Sequence, residues 1–487
     1  MKELIQIDSF GAIDADADEL LRDCFEDHPA YLQIRAQQRF LVLGRKGAGK
    51  TAIYKRLVTE QSFDQFAFGY SFDDYPWAHH KLQEETGVPV ERRYIHSWKY
   101  LILIALAKIL LNQDQSQPWS DDAHEALSRL EAFMVDSYGS RNPDMTQLFS
   151  PERILQLKGR LNLGAIAGDL NSIRVRDLPI HIQDVNRMLA STVMSTLNPS
   201  ISYFICFDQL DLGFDPEDSS YSARLSGLIM AARDLFIQAR DENKNFCPAI
   251  FLRDDIFEDL KFEDKNKIAE NYSTRVIWSD TGSSPTLKEL MEKRFTIALS
   301  ETEHSDHVHW NDVFDETKEM PSRQNKYKHI CDRTFLRPRD MIKFCNTVLT
   351  AHKAGPPESQ FNNSSIHEAR EEYSDYLLRE LDDEVAKHSP NFSVYLEVLK
   401  SIGTEQFSLE QFESNLELRT LAVDESTSSA MATLFEFSVV SYLKPGGRGG
   451  GSAWIWRYKD PRARFDPSSS SFRVHPGLKE ALDLARG

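Results

Sequence analysis

Short apolar runs and longer segments of helical periodicity alternate through about the first 280 residues. Short apolar runs between turn residues are typical of buried strands. The segments between them repeat apolar residues at helical spacing. Strands that alternate with helices predict an α/β fold, a parallel sheet with helices on both faces. The predicted strands are 40–43, 66–72, 201–208, 248–252 and 274–278, and the main helices are 97–111, 180–197 and 222–239.

The second half of the chain follows a different pattern. Helical periodicity runs from Leu287 to Val348 and resumes over 368–385. Short helices followed by a two-stranded ribbon are the outline of a winged helix. These helices are predicted at 394–402, 409–416 and 427–437, and the two strands at 438–443 and 453–458 flank the glycine-rich stretch 446–451.

The clearest motif lies where the first predicted strand meets a helix. Residues 44–51 match G-x-x-x-x-G-K-[ST] at every fixed position. Its glycines let the backbone N–H groups approach an anion, toward which the next helix directs its N-terminal dipole. The lysine supplies charge for the outer phosphates, and the threonine hydroxyl can ligate Mg²⁺. The predicted phosphate-binding residues are Gly44, Arg45, Lys46, Gly47, Ala48, Gly49, Lys50 and Thr51.

A carboxylate completes this predicted site. Asp208 ends an apolar strand, and its carboxylate can hold Mg²⁺ beside Thr51. Gly44, Asp208 and Arg253 all lie at the carboxyl ends of predicted parallel strands, where such sheets bind ligands. The sequence therefore predicts one crevice that holds a triphosphate and its magnesium ion.

The residue after Asp208 changes the expected chemistry. Many ATPases have a glutamate there to deprotonate the attacking water, whereas this chain has Gln209. An amide can position a water molecule but cannot accept its proton. Asp211 is a candidate base if the chain bends after the strand, and a helix cap or turn residue otherwise. We therefore expect slow turnover or an unusual base.

Arginines are candidates for sensing the γ-phosphate. Arg253 ends a strand next to the crevice and is either a sensor or a salt-bridge partner of Asp254 or Asp255. Arg339 begins a predicted helix after Pro338, so it either stabilises charge on the nucleotide or simply belongs to a helix start. Arg337 is a weaker candidate for the same role, and Arg275 and Arg294 stay open as residues that reach a neighbouring subunit's nucleotide.

The charge of the chain reverses locally near its end. The net charge of −18 makes non-specific adhesion of the whole surface to nucleic acid implausible. The C-terminal ribbon, in contrast, interleaves cations with Trp454, Trp456, Tyr458 and Phe465, a composition that suits phosphate backbones and stacked bases. A partner protein is an equal alternative. The candidate contact residues are Arg448, Arg457, Lys459, Arg462 and Arg464.

The cysteines, the first residues and the most apolar stretch indicate the cellular compartment that we expect. The five cysteines are scattered without a C-x-x-C pair, and the first residues do not form a signal peptide, so we expect a reducing cytoplasm. The most apolar helical stretch, 100–111, is too short to span a bilayer, so no membrane is expected. His304, His307 and His309 could bind a metal, but a polar connector without an apolar frame favours a solvated loop.

Taken together, these motifs resemble AAA+ P-loop ATPases, nearest to the branch that holds origin-recognition/Cdc6-like and STAND-type proteins. More narrowly, residues 44–51, the run Asp-Gln-Leu-Asp at 208–211 and the run that begins at Arg253 resemble a bacterial P-loop ATPase family often found in defence-associated loci. The resemblance implies ATP and Mg²⁺ as cofactors, a helical lid that carries Arg339, and a terminal winged helix. Gln209 departs from the family pattern.

The resemblance also implies an organisation and a function. The expected parts are a helical N-terminal segment 1–38, a core 39–285 with a helical insertion near 113–178, a lid 286–385 and a winged-helix-like domain 386–487. We expect an ATP-hydrolysing switch that forms homo-oligomers and controls a separate effector protein, in antiphage defence. The alternatives are an ATP-gated DNA-binding regulator or loader, and a scaffold that holds ATP without hydrolysing it.

Overall fold

The structure is a computed structural model that describes most of the chain: residues 2–60, 62–71, 90–148, 150, 153–157, 161, 172–174, 178–212, 219–280, 282, 285–301, 306–321, 323–386, 388–419, 426–446 and 451–485. The chain divides into two units. The sheet unit comprises Asp27–Arg45 and Lys50–Val276. The helical unit comprises Met1–Glu26, Lys46–Gly49 and Ile277–Gly487.

A five-stranded parallel sheet organises the sheet unit, in the order β2-β5-β6-β1-β7. The predicted parallel sheet is thereby confirmed. Its central strands are continuously apolar because both faces are covered, and every residue of β6 is buried. The strands are β1 (Leu41–Gly44), β2 (Gln65–Ser71), β5 (Ser202–Asp208), β6 (Phe246–Arg253) and β7 (Ser273–Arg275), and an antiparallel pair separate from this sheet consists of β3 (Ile154–Gln156) and β4 (Ser172–Arg174).

Helices flank this sheet. Helix α3 packs against both α6 and α7, and α2 packs on β2, β5 and β6. The helices are α1 (Pro29–Arg35), α2 (Lys50–Thr59), α3 (Val90–Asn112), α4 (Asp121–Tyr138), α5 (Met145–Leu148), α6 (Leu178–Thr196), α7 (Ser219–Asp241), α8 (Asp254–Asp259) and α9 (Lys265–Tyr272).

Helix α3 is longer than the sequence pattern suggested. Its segment Tyr94–Asn112 is long and apolar enough to cross a bilayer, which corrects the expectation from residues 100–111. Within the fold, however, 72% of its most apolar window is buried. A buried core helix passes the same test of length and composition, so this helix is consistent with a soluble protein.

The insertion predicted near 113–178 is not only helical. It contains α4 and α5, but also the antiparallel pair β3 and β4. Each strand has three residues in an exposed–buried–exposed pattern. Strands this short contain one period of alternation, which is too little to be recognised in a sequence.

The helical unit joins a helical array to a small sheet. The array contains α10 (Leu287–Leu299), α11 (Trp310–Val313), α12 (Lys326–Cys331), α13 (Pro338–Ala354) and α14 (Asn363–Val385). Three helices follow, α15 (Phe392–Ile402), α16 (Leu409–Glu417) and α17 (Thr427–Glu436). The last part is an antiparallel sheet in the order β10-β9-β11-β8, formed by β8 (Gln406–Phe407), β9 (Val440–Lys444), β10 (Ala453–Ile455) and β11 (Phe472–Val474).

The acidic start of the chain folds differently from its pattern. Asp14, Asp16, Asp18 and Glu19 suit the first turn of a helix in the expected helical segment 1–38, but the structure has turns there after a short 3₁₀ helix at Leu4–Gln6. Asp18 is buried, and its carboxylate accepts a hydrogen bond from the Ala12 N–H and pairs with Arg294 at 2.6 Å. Asp18 therefore forms a tertiary ion pair with Arg294 instead of contributing to the first turn of a helix.

The pairing of Asp18 with Arg294 predicts a stability effect. Asp18→Asn should lower the free energy of unfolding by ~3 kcal/mol, because it leaves a buried guanidinium without its carboxylate. Chemical denaturation measures this change, with Glu19→Gln at an exposed neighbour as the control. Equal stability of the two variants would show that the pair contributes nothing.

Candidate nucleotide-binding site

The glycine-rich loop connects β1 to α2. Gly47 has φ +77° and Gly49 has φ +103°, in the left-handed region that favours glycine. Gly44 closes β1 without such a φ value, so its place in the motif rests on the end of the strand. Helix α2 begins at Lys50 directly after the loop. Strand, turn and helix N-terminus are thus arranged in the order that an anion site requires.

The Lys50 ammonium is held by its own loop. Its Nζ donates to the carbonyl of Gly44 at 2.8 Å and to that of Arg45 at 3.1 Å. Burial lowers the pKa of Lys50 below its ordinary value, and the carboxylates of Asp211 and Asp208 oppose that shift. A cation held in this way can exchange weak carbonyl acceptors for phosphate oxygens, which bind it more strongly.

Asp208 has the properties of a metal ligand. It ends β5 and is buried, with 3% of its surface exposed. Burial raises its pKa to about 6, against hydrogen bonds from the Thr51 hydroxyl and the Gln209 N–H and the charge of Lys50. Among the described residues its Oδ2 has no hydrogen-bond partner. A buried, unpaired carboxylate oxygen beside a threonine hydroxyl fits Mg²⁺, which takes oxygen ligands.

The chain bends sharply after Asp208. Gln209 has φ +57°, and this turn places its N–H on the Asp208 carboxylate. The bend allows Asp211 to approach Arg253, whose Nη1 lies 3.4 Å from the Asp211 Oδ2. The guanidinium therefore occupies a carboxylate oxygen that a base would need for accepting a proton. The structure therefore gives Asp211 the required bend, but also a partner that competes with proton abstraction.

Arg253 lies on the strand beside the loop. In the parallel register of β1 and β6 it is opposite Gly44, and β6 also neighbours β5. Its guanidinium is buried and binds the Asp255 carboxylate through Nε at 3.0 Å. The neighbouring Asp254 pairs with Arg275 at 2.6 Å. The ends of three adjacent strands, β5, β6 and β1, thus carry the predicted residues to one edge of the sheet.

The tip of the loop, Lys46–Gly49, belongs to the helical unit. Arg337 Nη1 donates to the Lys46 carbonyl at 3.0 Å, and Trp278 Nε1 donates to the Ala48 carbonyl at 2.9 Å. A Cβ built on Gly47 would lie 3.1 Å from the Arg339 Cβ. Side chains outside the motif therefore fix the shape of the loop tip.

Acidic residues on α14 orient these arginines. Glu380 accepts from Arg339 at 2.9 Å and lies 3.6 Å from Lys46. Arg337 is fully enclosed and pairs with Asp340 at 2.9 Å and with Glu384 at 3.2 Å. Burial lowers the pKa of Arg337, but the two carboxylates raise it by more. Among the described residues, Arg337 Nη2 and Arg339 Nε have no hydrogen-bond partner.

Sequence reasoning missed part of this arrangement. Trp278, Glu380 and Glu384 carry no motif, and Glu380 lies far along the chain from the loop that its ion pairs support. Arg294 was considered as a residue that reaches a second subunit, but its side chain is buried against Asp18 and the Phe10 carbonyl. The two acidic side chains had no local signal that could have revealed them.

The basic C-terminal residues are only partly available for binding. Lys459, Arg462 and Arg464 are exposed, whereas Arg457 pairs with Glu436 at 2.8 Å. Arg448 lies outside the described residues. Of the interleaved aromatic residues, Trp456 and Tyr458 are largely buried and pack around His475.

The histidine segment approaches one carboxylate. His307 Nε2 and His309 Nδ1 lie 3.7 and 3.9 Å from the Glu292 Oε2, and both rings are exposed. His304 lies outside the described residues. Since Glu292 also accepts from the Trp310 N–H at 2.8 Å, it has a structural task at the start of α11. The arrangement does not change the expectation of a solvated loop.

Comparisons with known proteins give partial matches. The family model described as the FunZ-associated C-terminal helical domain matches residues 285–382. The transposon gamma-delta 80.3 kDa protein of Escherichia coli (strain K12) is 23% identical over 412 residues, which cover 79% of this chain and 53% of that protein. The chain thus spans about half the length of that relative. A structure of Drosophila ORC bound to DNA aligns at a TM-score of 0.28 and 8% identity, covering 92% of this chain and 83% of that one. A TM-score this low supports no statement about fold or function.

The close approach of Arg339 to Gly47 predicts an effect on protein stability. Gly47→Ala should destabilise the protein more than Gly139→Ala, although the two glycines have nearly equal φ values of +77° and +75°. Each alanine pays ~1 kcal/mol for the left-handed backbone, but only at position 47 does its Cβ press on Arg339. Denaturant unfolding of both variants checks this. Equal losses would mean that Arg339 does not confine the loop.

The raised pKa of Asp208 predicts a dependence of stability on pH. A carboxyl group whose folded pKa exceeds its unfolded value holds its proton more tightly when folded, so stability falls as the pH rises through that window. Between pH 4 and pH 7, without Mg²⁺, the wild type should lose up to ~3 kcal/mol relative to Asp208→Asn, from a shift of about two pKa units. Asp241→Asn, at an exposed position, is the control. Parallel pH profiles for the wild type and Asp208→Asn would refute the shift.

Proposed function

We propose that the chain is a P-loop ATPase that works as a nucleotide-driven switch. One observation carries the proposal: the loop 44–51 and Asp208 follow β1 and β5, the two parallel strands on either side of β6, with Lys50 held on loop carbonyls and a buried oxygen of Asp208 left without a partner among the described residues. This combination supplies what a nucleoside triphosphate with Mg²⁺ requires.

Thr51 and Asp208 would hold the magnesium ion. When bound, Mg²⁺ neutralises charge on the phosphate oxygens. The chain's own residues would bind the phosphates. The N–H groups of Gly47, Ala48 and Gly49 would donate hydrogen bonds to phosphate oxygens, and the Lys50 ammonium would bind the outer phosphates.

Hydrolysis by this site should be slow. Gln209 can orient a water molecule but cannot take its proton. Asp211 is the available base, yet Arg253 lies 3.4 Å from its Oδ2 and occupies an oxygen that would have to accept the proton. We propose that a γ-phosphate draws Arg253 away from Asp211 and Asp255, so that sensing the phosphate and freeing the base are one event.

The helical unit would report the state of the nucleotide. Arg339 flanks Gly47 and has an unpartnered Nε among the described residues, so it can turn from Glu380 to a phosphate oxygen. Residues 286–385 act in this proposal as a lid, and residues 386–487 as a winged-helix-like domain. Closure of the lid would favour homo-oligomers that engage a separate effector protein.

The biological setting is proposed from likeness alone. A FunZ-associated domain and a transposon-encoded relative fit a chain carried by mobile elements, and the resemblance to defence-associated ATPases points to antiphage defence. The chain would act in the cytoplasm. A DNA-binding regulator is the second candidate, since Lys459, Arg462 and Arg464 are exposed on a chain of net charge −18. Gln209 favours a third candidate, a scaffold that retains ATP.

Steady-state release of phosphate from ATP tests the proposal. Lys50→Ala should abolish turnover, because it removes the charge that binds the outer phosphates. Asp211→Asn should slow turnover about tenfold or more while ATP affinity stays within about twofold, as expected for loss of a general base. Asp241→Asn, exposed at the end of α7, should match the wild type.

Two outcomes would contradict this assignment. Unchanged turnover in Asp211→Asn would make that residue structural. Bound ATP recovered intact from the wild type after long incubation would replace the switch with the scaffold.

A further inference from the structure

A polar cavity of about 700 Å³ lies within the helical unit. Its wall combines α12, α14 and the turns around the C-terminal sheet, far along the chain from the glycine-rich loop. Cavities of roughly 300–1,000 Å³ are the size that small-molecule ligands occupy. The glycine-rich loop contributes no residue to this wall.

The wall of the cavity is basic. Among the described residues of the wall, the cations outnumber the carboxylates by five to three, on a chain whose net charge is −18. The cations are Arg333, Arg370, Lys459, Arg473 and Lys479, and the carboxylates are Asp332, Glu405 and Glu480. A concave surface with excess positive charge attracts and concentrates anions.

Among the cations of the wall, Arg333 has the longest distance to a carboxylate. It is buried, with 8% of its surface exposed, and its nearest carboxylate contact is to Glu480 at 3.9 Å. Its Nη1 makes long contacts with His329, 3.4 Å to the ring Nδ1 and 3.5 Å to the carbonyl, and its Nε has no partner among the described residues. Burial lowers its pKa to about 10, against the charge of Glu480. A buried guanidinium with spare donors requires an anion to satisfy it.

The other cations are paired at distances that permit exchange. Arg473 lies 3.3 Å and Lys479 3.5 Å from Glu405, while Lys459 lies 3.7 Å from Asp332. These carboxylates keep the cations positioned around the cavity. Phosphate oxygens, which form stronger charge-assisted bonds with arginine, could take their place.

Two aromatic rings complete the wall. Trp456 and Tyr458 line the cavity, with ring centroids 5.8 Å apart, and both pack on His475. Their packing fixes the rings, so a planar ligand would stack without the cost of ordering them. Inorganic phosphate would use the cations alone, whereas a nucleoside phosphate would use the cations and the rings.

We propose that this cavity is a second ligand site that binds a nucleoside phosphate, with Arg333 on the phosphate and Trp456 or Tyr458 against the base. Helix α14 connects the cavity to the loop tip, because it carries Arg370 in the wall and also Glu380, which pairs with Arg339. Occupation of the cavity therefore biases the arginines that hold the loop tip. The binding site itself does not depend on the proposed ATPase function.

Equilibrium dialysis of the full chain with radiolabelled ADP tests this site. The Lys50→Ala variant removes binding at the glycine-rich loop, so it should retain one ADP per chain. Adding Arg333→Met should weaken that binding about tenfold or more, since it removes a charge-assisted bond. Arg379→Met, at an exposed position of the same helix α14, should leave the affinity unchanged.

Lys459→Glu provides a second variant at an exposed position, where loss of fold is not a concern. In the Lys50→Ala background it should weaken ADP binding, whereas Lys318→Glu, at an exposed position outside the cavity wall, should not. No ADP on Lys50→Ala, or equal affinity of Lys459→Glu and Lys318→Glu, would overturn the site. If the wild type binds one ADP that Arg333→Met removes and Lys50→Ala does not, the cavity site stands and the proposed ATPase site fails.

Competition identifies the source of the ligand. Free ADP and AMP should displace the label from Lys50→Ala, and a 5′-hydroxyl oligonucleotide should not. Displacement by a 5′-phosphorylated oligonucleotide would support the site with a strand end as its natural occupant. Displacement by inorganic phosphate at equal concentration would overturn the role of the aromatic rings and with it the nucleoside.

Discussion

The hydrogen bonds from the Lys50 ammonium to the carbonyls of Gly44 and Arg45 set the condition on which the site depends. They hold a cation at the N-terminus of α2, where burial already disfavours its charge. The neighbouring strands β5 and β6 place Asp208 and Arg253 at the same edge of the sheet. The charged groups at this edge are thus positioned by contacts within the sheet unit.

The shape of the loop depends on more than its own glycines. Arg337 and Trp278 bind the carbonyls of its tip, and Arg339 confines Gly47. Glu380 and Glu384, both on α14, hold these arginines in place. A change in α14 would therefore alter the loop through ion pairs rather than through the motif.

The parallel sheet and the strand ends could be predicted because the strands are buried and apolar, and because the loop motif occurs between a strand and a helix. The turns around Asp18 could not be predicted, because Asp18 pairs with Arg294, which lies far away in the sequence. This ion pair overrides the local preference for a helix. The strands of the insertion are too short to show a period. The burial of Trp456 and Tyr458 against His475 could not be predicted either, because no local pattern reveals His475 as their partner.

We propose that the ends of the strands β5, β6 and β1 bind one nucleoside triphosphate together with its metal ion. Electron paramagnetic resonance with Mn²⁺ in place of Mg²⁺ tests it most directly, by measuring the bound metal in the presence and absence of ATP. We expect ATP-dependent binding of Mn²⁺ to the wild type. Asp208→Asn and Lys50→Ala should both eliminate this binding, and Asp241→Asn should retain it. Binding of Mn²⁺ and ATP that is unaffected by Asp208→Asn and Lys50→Ala would contradict it.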